Sequence, residues 1–82
     1  MEIKVLGPGC PRCERLEKMA REAVEEVGVE ATLTKVTQMD EIMEYAIVGT
    51  PGLVIDGDLK ISGRLPRKKE IVTWLEEAKG DG

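Results

Sequence analysis

The sequence predicts an α/β fold in the order β-α-β-α-β-β-α, in which a four-stranded mixed sheet is flanked by three helices. Three observations support this prediction. Two alternating strands are joined by a long amphipathic helix, an Asp-Gly pair separates two apolar runs, and a helical pattern lies near the end of the chain. With 82 residues and 9.0 kDa the chain has room for one domain, which we expect to span residues 1–82.

A strand, a helix and a second strand are predicted for the first part of the chain. Residues 2–6 begin with alternating polar and apolar side chains and lead into a Gly-Pro-Gly loop, which is typical of a short strand. Apolar residues recur at helical spacing over residues 11–27, and Gly28 supplies a stop signal. Residues 29–36 contain a second alternating pattern, and because a helix connects the two strands, they should pair in parallel.

A short second helix is predicted between residues 39 and 47. Thr37 followed by Asp40 resembles an N-cap pattern. The apolar residues at helical spacing are Met39, Ile42, Met43, Ala46 and Ile47. The spacing of the two methionines favours core packing over an exposed or metal-binding role, and the helix should end before the Gly-Thr-Pro-Gly segment at residues 49–52.

A hairpin and a third helix are predicted for the rest of the chain. Residues 53–55 and 58–61 flank an Asp-Gly pair, which suits a tight turn that requires positive φ, so the two strands should be antiparallel. A helical pattern runs from about Pro66 to Lys79, with apolar side chains on one side. The last three residues, 80–82, are expected to fray.

Composition and charge restrict the possible chemistry. Twelve Lys and Arg against sixteen Asp and Glu give a net charge of −4, which argues against nucleic acids and anionic membranes as partners. The sequence has no histidine, so thiols, carboxylates and one tyrosine remain for catalysis. The 34% of charged residues and the absence of asparagine suggest a thermophile. No leader or spanning segment is recognisable, so we expect a cytoplasmic protein.

The strongest functional signal is Cys10-Pro11-Arg12-Cys13. In a reducing compartment a lone pair at this spacing is typical of catalytic or metal-binding cysteines rather than of a structural disulfide. Pro11 suits a first helical turn, so the helix should begin inside the motif. The helix N-terminus and Arg12 favour an anion, so the pKa of Cys10 should be lower than that of a free cysteine. Cys13, on the buried side, could then resolve a mixed disulfide formed at Cys10.

The strand before CPRC, the helix after it and the Thr50-Pro51 pair before a hairpin resemble the thioredoxin-like superfamily. The compact size and the GPGCPRC, TPGLVIDG and ISGR segments resemble, more narrowly, the small glutaredoxin-sized thioredoxins, or redox-active disulfide proteins, of methanogenic archaea and thermophilic bacteria. The resemblance implies a thioredoxin-like fold and a thiol–disulfide oxidoreductase. Such a protein would reduce protein disulfides, receive electrons from a reductase and use no cofactor beyond its Cys10–Cys13 disulfide.

The resemblance also implies roles for the segment before the hairpin. Pro51 would follow a cis peptide bond and face the cysteine pair, and the backbone of Thr50 would pair with a substrate strand, with Gly49 beside it. In thioredoxins proper a buried Asp lies under the resolving cysteine, but the first strand here offers only Glu2 and Lys4. The group that accepts protons is therefore not predicted by the resemblance.

Glutaredoxins, which share the Cys-Pro-x-Cys form, usually carry Tyr at the third position and a Gly-Gly-x-Asp element that binds glutathione. This sequence has Arg12 and Ser62-Gly63-Arg64 instead, so the use of glutathione stays open. Arg64 and Arg67 belong to a group of cationic side chains that could contact its carboxylates. The basic residues at the start of the third helix oppose the helix dipole, which favours an anionic partner nearby.

Two other classes of function remain open. The same CxxC spacing binds Cu(I) or Zn(II) in metal-transfer domains, but those domains run β-α-β-β-α-β and carry Met before the first cysteine, whereas Gly9 stands there in this chain. A closed zinc site takes four ligands, and two thiols without histidine cannot complete one in a monomer, so we predict no metal. The second alternative is a thioredoxin-like interaction domain without redox activity.

Overall fold

One four-stranded sheet organises the fold. The computed structural model describes residues 1–80. The elements are β1 (Glu2–Leu6), α1 (Pro11–Val27), β2 (Thr32–Val36), α2 (Met39–Ile42), β3 (Gly52–Ile55), β4 (Asp58–Ser62) and α3 (Lys68–Gly80). The strand order in the sheet is β2-β1-β3-β4. The predicted element order and the predicted α/β class are therefore confirmed.

The strand register brings three chain segments to one edge of the sheet. β1 pairs in parallel with β2, as the helical crossover predicts, and Leu6 lies opposite Val36. β1 also pairs antiparallel with β3, where Leu6 lies opposite Gly52. The end of β1, the end of β2 and the beginning of β3 therefore meet, and the segment containing both cysteines follows directly from this edge.

The two faces of the sheet bury cores of different size. Alternation places Ile3 and Val5 of β1 on the face covered by α1 and α3, where the larger core lies. Its other buried members are Leu16, Ala20, Ala23, Leu53, Ile55, Ile61, Ile71 and Leu75. The opposite face carries a smaller cluster of four buried side chains, Leu6, Val36, Ile42 and Val54, with Tyr45, Ile47 and Leu59 partly buried against it.

The second helix is shorter than predicted. α2 ends at Ile42, and the chain then tightens, since the N–H groups of Glu44 and Tyr45 donate to carbonyls three residues back, at 3.2 and 3.1 Å. One turn of helix can bury one side chain against the sheet, and Ile42 occupies that position. The core packing predicted for Met39 and Met43 is therefore wrong, because these side chains are 53% and 72% exposed.

Several other predicted boundaries differ from the structure, and β3 and β4 are each one residue longer than predicted. β2 begins at Thr32 rather than at residue 29. α3 begins at Lys68 rather than near Pro66, and it includes Gly80, for which fraying was predicted. The predicted fraying of residues 81 and 82 lies outside the described residues. Within residues 1–80 no helix is both long and apolar enough to cross a membrane.

Candidate active site

Cys10 and Cys13 form a disulfide at the start of α1. Cys10 is the N-cap residue, Pro11 occupies the first helical turn, and the first helical hydrogen bond runs from Glu14 N–H to Cys10 O at 3.1 Å. The two Cα atoms are 5.1 Å apart, as one helical turn allows. Cys10 is half-buried and Cys13 is only 5% exposed. The first sulfur is therefore the more accessible one.

The surroundings of the Cys10 sulfur favour negative charge. The backbone N–H of Cys13 donates a hydrogen bond to Cys10 Sγ at 3.3 Å. The other N–H groups of the first turn lie at the positive end of a 17-residue helix. The side chain of Arg12 is exposed in the same turn and has no ion pair within residues 1–80. Groups of this kind stabilise thiolates in proteins, and a thiolate-stabilising role for Arg12 at Cys10 stays a prediction.

Gly7 provides the space in which Cys13 packs. A Cβ atom placed on Gly7 would overlap Cys13 Sγ and would lie 3.0 Å from Cys13 Cβ. Gly7 N–H also donates to Val36 O at 2.9 Å, which fixes the end of β1 to the end of β2. The sequence pattern places Gly7 in a loop and does not predict its close contact with Cys13. A glycine directly after a strand and three residues before Cys10 is the signal that could have indicated a close approach.

The Thr50–Pro51 peptide bond is cis, as the resemblance implied. Pro51 is buried and directly precedes β3. Because Gly52 pairs with Leu6 in the antiparallel ladder, Pro51 lies level with Gly7, the residue against which Cys13 packs. The fold therefore brings the Thr50-Pro51 segment to the same edge of the sheet as the disulfide.

Comparison with known proteins decides the family. A family model described as a thioredoxin domain matches residues 1–76 of this chain. The chain belongs to the thioredoxin family. The thioredoxin-like resemblance predicted from CPRC and Thr50-Pro51 is confirmed, and so is the thioredoxin-like fold class.

Several curated relatives share most of the chain. A thioredoxin from Methanothermobacter thermautotrophicus is 49% identical over 71 residues, which cover 87% of this chain and 92% of the relative. Two thioredoxins from Methanocaldococcus jannaschii are 39% identical over 78 residues and 29% identical over 74 residues, covering 90% and 87% of this chain and 90% and 86% of the relatives. With the Cys10–Cys13 disulfide, this likeness identifies a thiol–disulfide oxidoreductase.

Two of the cationic residues near α3, Arg64 and Lys68, have acidic partners. The Arg64 guanidinium is 3.2 Å from the Glu70 carboxylate. Glu70 also accepts the backbone N–H of Arg67 at 3.0 Å, which caps the start of α3. Lys68 pairs with Glu26 at 3.0 Å. The charges of Arg64 and Lys68 are thus offset by carboxylates, and an anion contact at Arg64 and Arg67 stays a prediction.

The Glu70 cap should make stability depend on pH. The backbone N–H of Arg67 and the guanidinium of Arg64 lower the pKa of Glu70. A carboxyl group with a lower pKa in the folded state stabilises the protein above its unfolded-state pKa, and this contribution is lost as the pH falls through the folded-state pKa. We expect Glu70→Gln to lower the urea midpoint at neutral pH, with the difference from wild type shrinking in acid.

The control for this prediction is Glu76→Gln. Glu76 is exposed on the same helix and makes no ion pair within residues 1–80. Its replacement removes the same charge without disturbing the helix cap, so the urea midpoint should change little at either pH. A pH-independent loss of stability in Glu70→Gln would contradict the predicted role of the charged cap.

Acidic and thiol side chains are too dispersed to form a metal centre in the described part of the chain. Among residues 1–80 no group of three or more His, Cys, Asp or Glu side chains is arranged to hold a metal ion. Cys10 and Cys13 could offer two thiolates after reduction, whereas a closed tetrahedral site takes four ligands. A tetrahedral zinc ion bound by this pair would therefore need two further ligands.

Proposed function

We propose that this thioredoxin-family protein reduces disulfides in protein substrates, with Cys10 as the attacking thiolate and Cys13 as the resolving thiol. The observation that carries this assignment is the difference in exposure, because Cys10 lies at the accessible helix start and Cys13 is 5% exposed behind it. Arg12 and the helix N-terminus stabilise the Cys10 thiolate, and Pro11 shapes the first turn that presents it.

The reaction proceeds in two exchange steps. The Cys10 thiolate attacks one sulfur of the substrate disulfide, the substrate S–S bond breaks, and one substrate thiolate leaves and takes a proton from solvent. Cys13 then loses its proton and attacks Cys10 Sγ. The mixed disulfide breaks, the second substrate thiol is released, and the Cys10–Cys13 disulfide forms. Two electrons have passed from this protein to the substrate.

The segment before β3 provides a place for the substrate strand. In this proposal the backbone of Thr50 pairs with the extended chain beside the substrate cysteine, and Gly49 and Pro51 keep that backbone accessible. The cis bond at Pro51 and the position of Pro51 level with Gly7 support this assignment. Val48, which is 88% exposed two residues before Thr50, offers an apolar contact to a protein substrate.

The partners follow from this chemistry. A protein with an accessible disulfide acts as oxidant, and a reductase returns two electrons to the Cys10–Cys13 disulfide. We propose that this disulfide is the only redox group the reaction requires and that a single domain over residues 1–82 carries the activity. The cytoplasm, where thiols are kept reduced, is the compartment that suits such a reductant.

The midpoint potential of the Cys10–Cys13 pair tests whether it is redox-active. The protein is equilibrated in thiol redox buffers, its free thiols are alkylated, and the masses are measured. We expect a reversible two-electron couple between about −270 mV, typical of thioredoxins, and about −200 mV, typical of glutaredoxins. Failure to form an intramolecular disulfide in oxidising buffer would contradict the proposal. Stoichiometric copper or zinc retained under reducing conditions would favour the metal-binding alternative.

A further inference from the structure

A hydrogen bond joins the central strand β1 to the loop that precedes the cis proline. Lys4 lies on the sheet face covered by α2, opposite to the face of Ile3 and Val5. Its ammonium group donates to the Tyr45 hydroxyl at 3.2 Å and lies 6.0 Å from the centroid of the Tyr45 ring. It is also 3.5 Å from Glu2 Oε1. Sequence patterns give no sign of this contact, which joins residues 41 positions apart.

The loop that contains Tyr45 makes few other hydrogen bonds to the rest of the protein. Residues 43–51 run from the end of α2 to the start of β3 without pairing with a strand. At the far end of this loop, Val48 N–H donates to Ser62 Oγ at 3.3 Å and Pro51 O accepts from Gly63 N–H at 3.1 Å. Both attachments lead to β4 and the turn after it. Among residues 1–80, the Lys4–Tyr45 hydrogen bond is the one that ties the loop to β1.

The Cys10 sulfur and the Thr50 backbone are both connected to β1, but by different routes. Cys10 follows β1 after the Gly-Pro-Gly loop, so its position is set from β1. Thr50 lies in the loop, two residues before Gly52, which pairs with Leu6 of β1. The same end of the loop is also attached to β4 and the turn after it, through Val48 and Pro51. Residues 43–50, which precede the pairing of Gly52 with Leu6, could shift relative to β1 if their N-terminal part were released, and this shift would change the spacing between the Thr50 backbone and the Cys10 sulfur.

We infer that Lys4 and Tyr45 are positioning residues, whose hydrogen bond fixes the loop before Pro51 relative to the strand that carries Cys10. The inference rests on the proposed function, in which a substrate strand pairs with Thr50. A charged donor makes this hydrogen bond stronger than a neutral pair. The contact should therefore affect substrates that need strand pairing and leave small disulfides, which need only Cys10, unaffected.

Tyr45→Phe is the variant that tests the contact most directly. It removes the hydroxyl group and keeps the ring that packs against the smaller core. The assay measures reduction of insulin disulfides, with dithiothreitol as electron donor. We expect the KM for insulin to rise about fivefold, with kcat nearly unchanged, because the net free energy of one hydrogen bond corresponds to a change of this size. The rate with 5,5′-dithiobis(2-nitrobenzoic acid), a small disulfide, and the midpoint potential should not change.

Companion variants separate positioning from other effects. Lys4→Met should raise the KM for insulin to the same extent, the Lys4→Met/Tyr45→Phe double variant should add nothing further, and Lys4→Arg should restore most of the loss because it keeps a donor. Glu2→Gln is the matched control, since it removes the ion pair with Lys4 and leaves the Tyr45 contact in place. Its KM for insulin should stay within about twofold of wild type.

The outcomes separate this inference from the proposed function. An unchanged KM for insulin in Tyr45→Phe would overturn the inference and leave the reductase activity standing. Equal losses with insulin and with the small disulfide, or a shifted potential, would also overturn it, because the contact would then act on the cysteine pair itself. Wild-type protein that reduces the small disulfide but not insulin would overturn both proposals.

Discussion

Cys10→Ser should abolish reduction of protein disulfides, and Cys13→Ser should stop the same reaction one step later. Without the Cys10 thiolate no mixed disulfide can form, because Cys13 is only 5% exposed and packs against Gly7. We expect the turnover of Cys10→Ser to fall at least about a thousandfold, as for other enzymes that lose their nucleophile. With Cys13→Ser, the first exchange can occur but the resolving thiol is missing, so a mixed disulfide with the substrate should accumulate.

Insulin reduction and mass spectrometry under non-reducing conditions measure these two outcomes. The Cys13→Ser protein should gain the mass of the substrate chain, and dithiothreitol should release it. Arg15→Ala serves as a control, because Arg15 is an exposed cation just after the motif and should affect turnover only slightly. Full activity in Cys10→Ser would contradict the assignment of Cys10 as the attacking residue. A mixed disulfide trapped through Cys13 in that variant would reverse the two assigned roles.

Gly7→Ala should destabilise the oxidised protein by about 1–3 kcal/mol, the usual cost of forcing extra atoms into a packed site. The new Cβ would overlap Cys13 Sγ and lie 3.0 Å from Cys13 Cβ, so either α1 or the end of β1 must move. The hydrogen bond from Gly7 N–H to Val36 O, at 2.9 Å, resists movement of the strand. The displacement should therefore fall on the cysteine loop and lower the rate of disulfide exchange as well.

Chemical unfolding of the oxidised variant, followed by the single tryptophan, measures this effect. Gly49→Ala is a suitable control for stability, because the added Cβ would sit 3.4 Å from Gly63 Cα, an ordinary van der Waals contact. It should change the free energy of unfolding by less than Gly7→Ala does. If the two variants were equally stable, the close packing of Cys13 on Gly7 would not be a constraint on the folded protein.

The start of α1 shows how far sequence reasoning reaches. Pro11 at the first turn, Gly28 after the last, and the apolar stripe between them predicted a helix over residues 11–27, and α1 has these bounds. These signals act between residues within one or two turns of each other, so they are readable in order along the chain. The same local reasoning predicted the Cys10–Cys13 spacing on one helical turn.

The segment between β2 and β3 shows where sequence reasoning fails. Met39 and Met43 have the spacing of a buried stripe, but the helix ends at Ile42 and both methionines are exposed. A helical period indicates which side chains share a face and does not indicate whether another element covers that face. Tyr45 turns toward β1, where Lys4 donates a hydrogen bond to its hydroxyl group at 3.2 Å.

The sequence by itself determined the order of strands and helices and the helix that begins at the cysteine motif, because these depend on neighbouring residues. The CxxC spacing restricted the motif to catalytic or metal-binding cysteines, and the family resemblance favoured redox activity. The cis bond before Pro51 was predicted from the family resemblance. Only the tertiary structure decided that Pro51 lies level with Gly7, that Gly7 makes room for Cys13 and that Lys4 meets Tyr45. These contacts depend on strand register and packing, which bring together residues far apart in the chain and leave no local pattern.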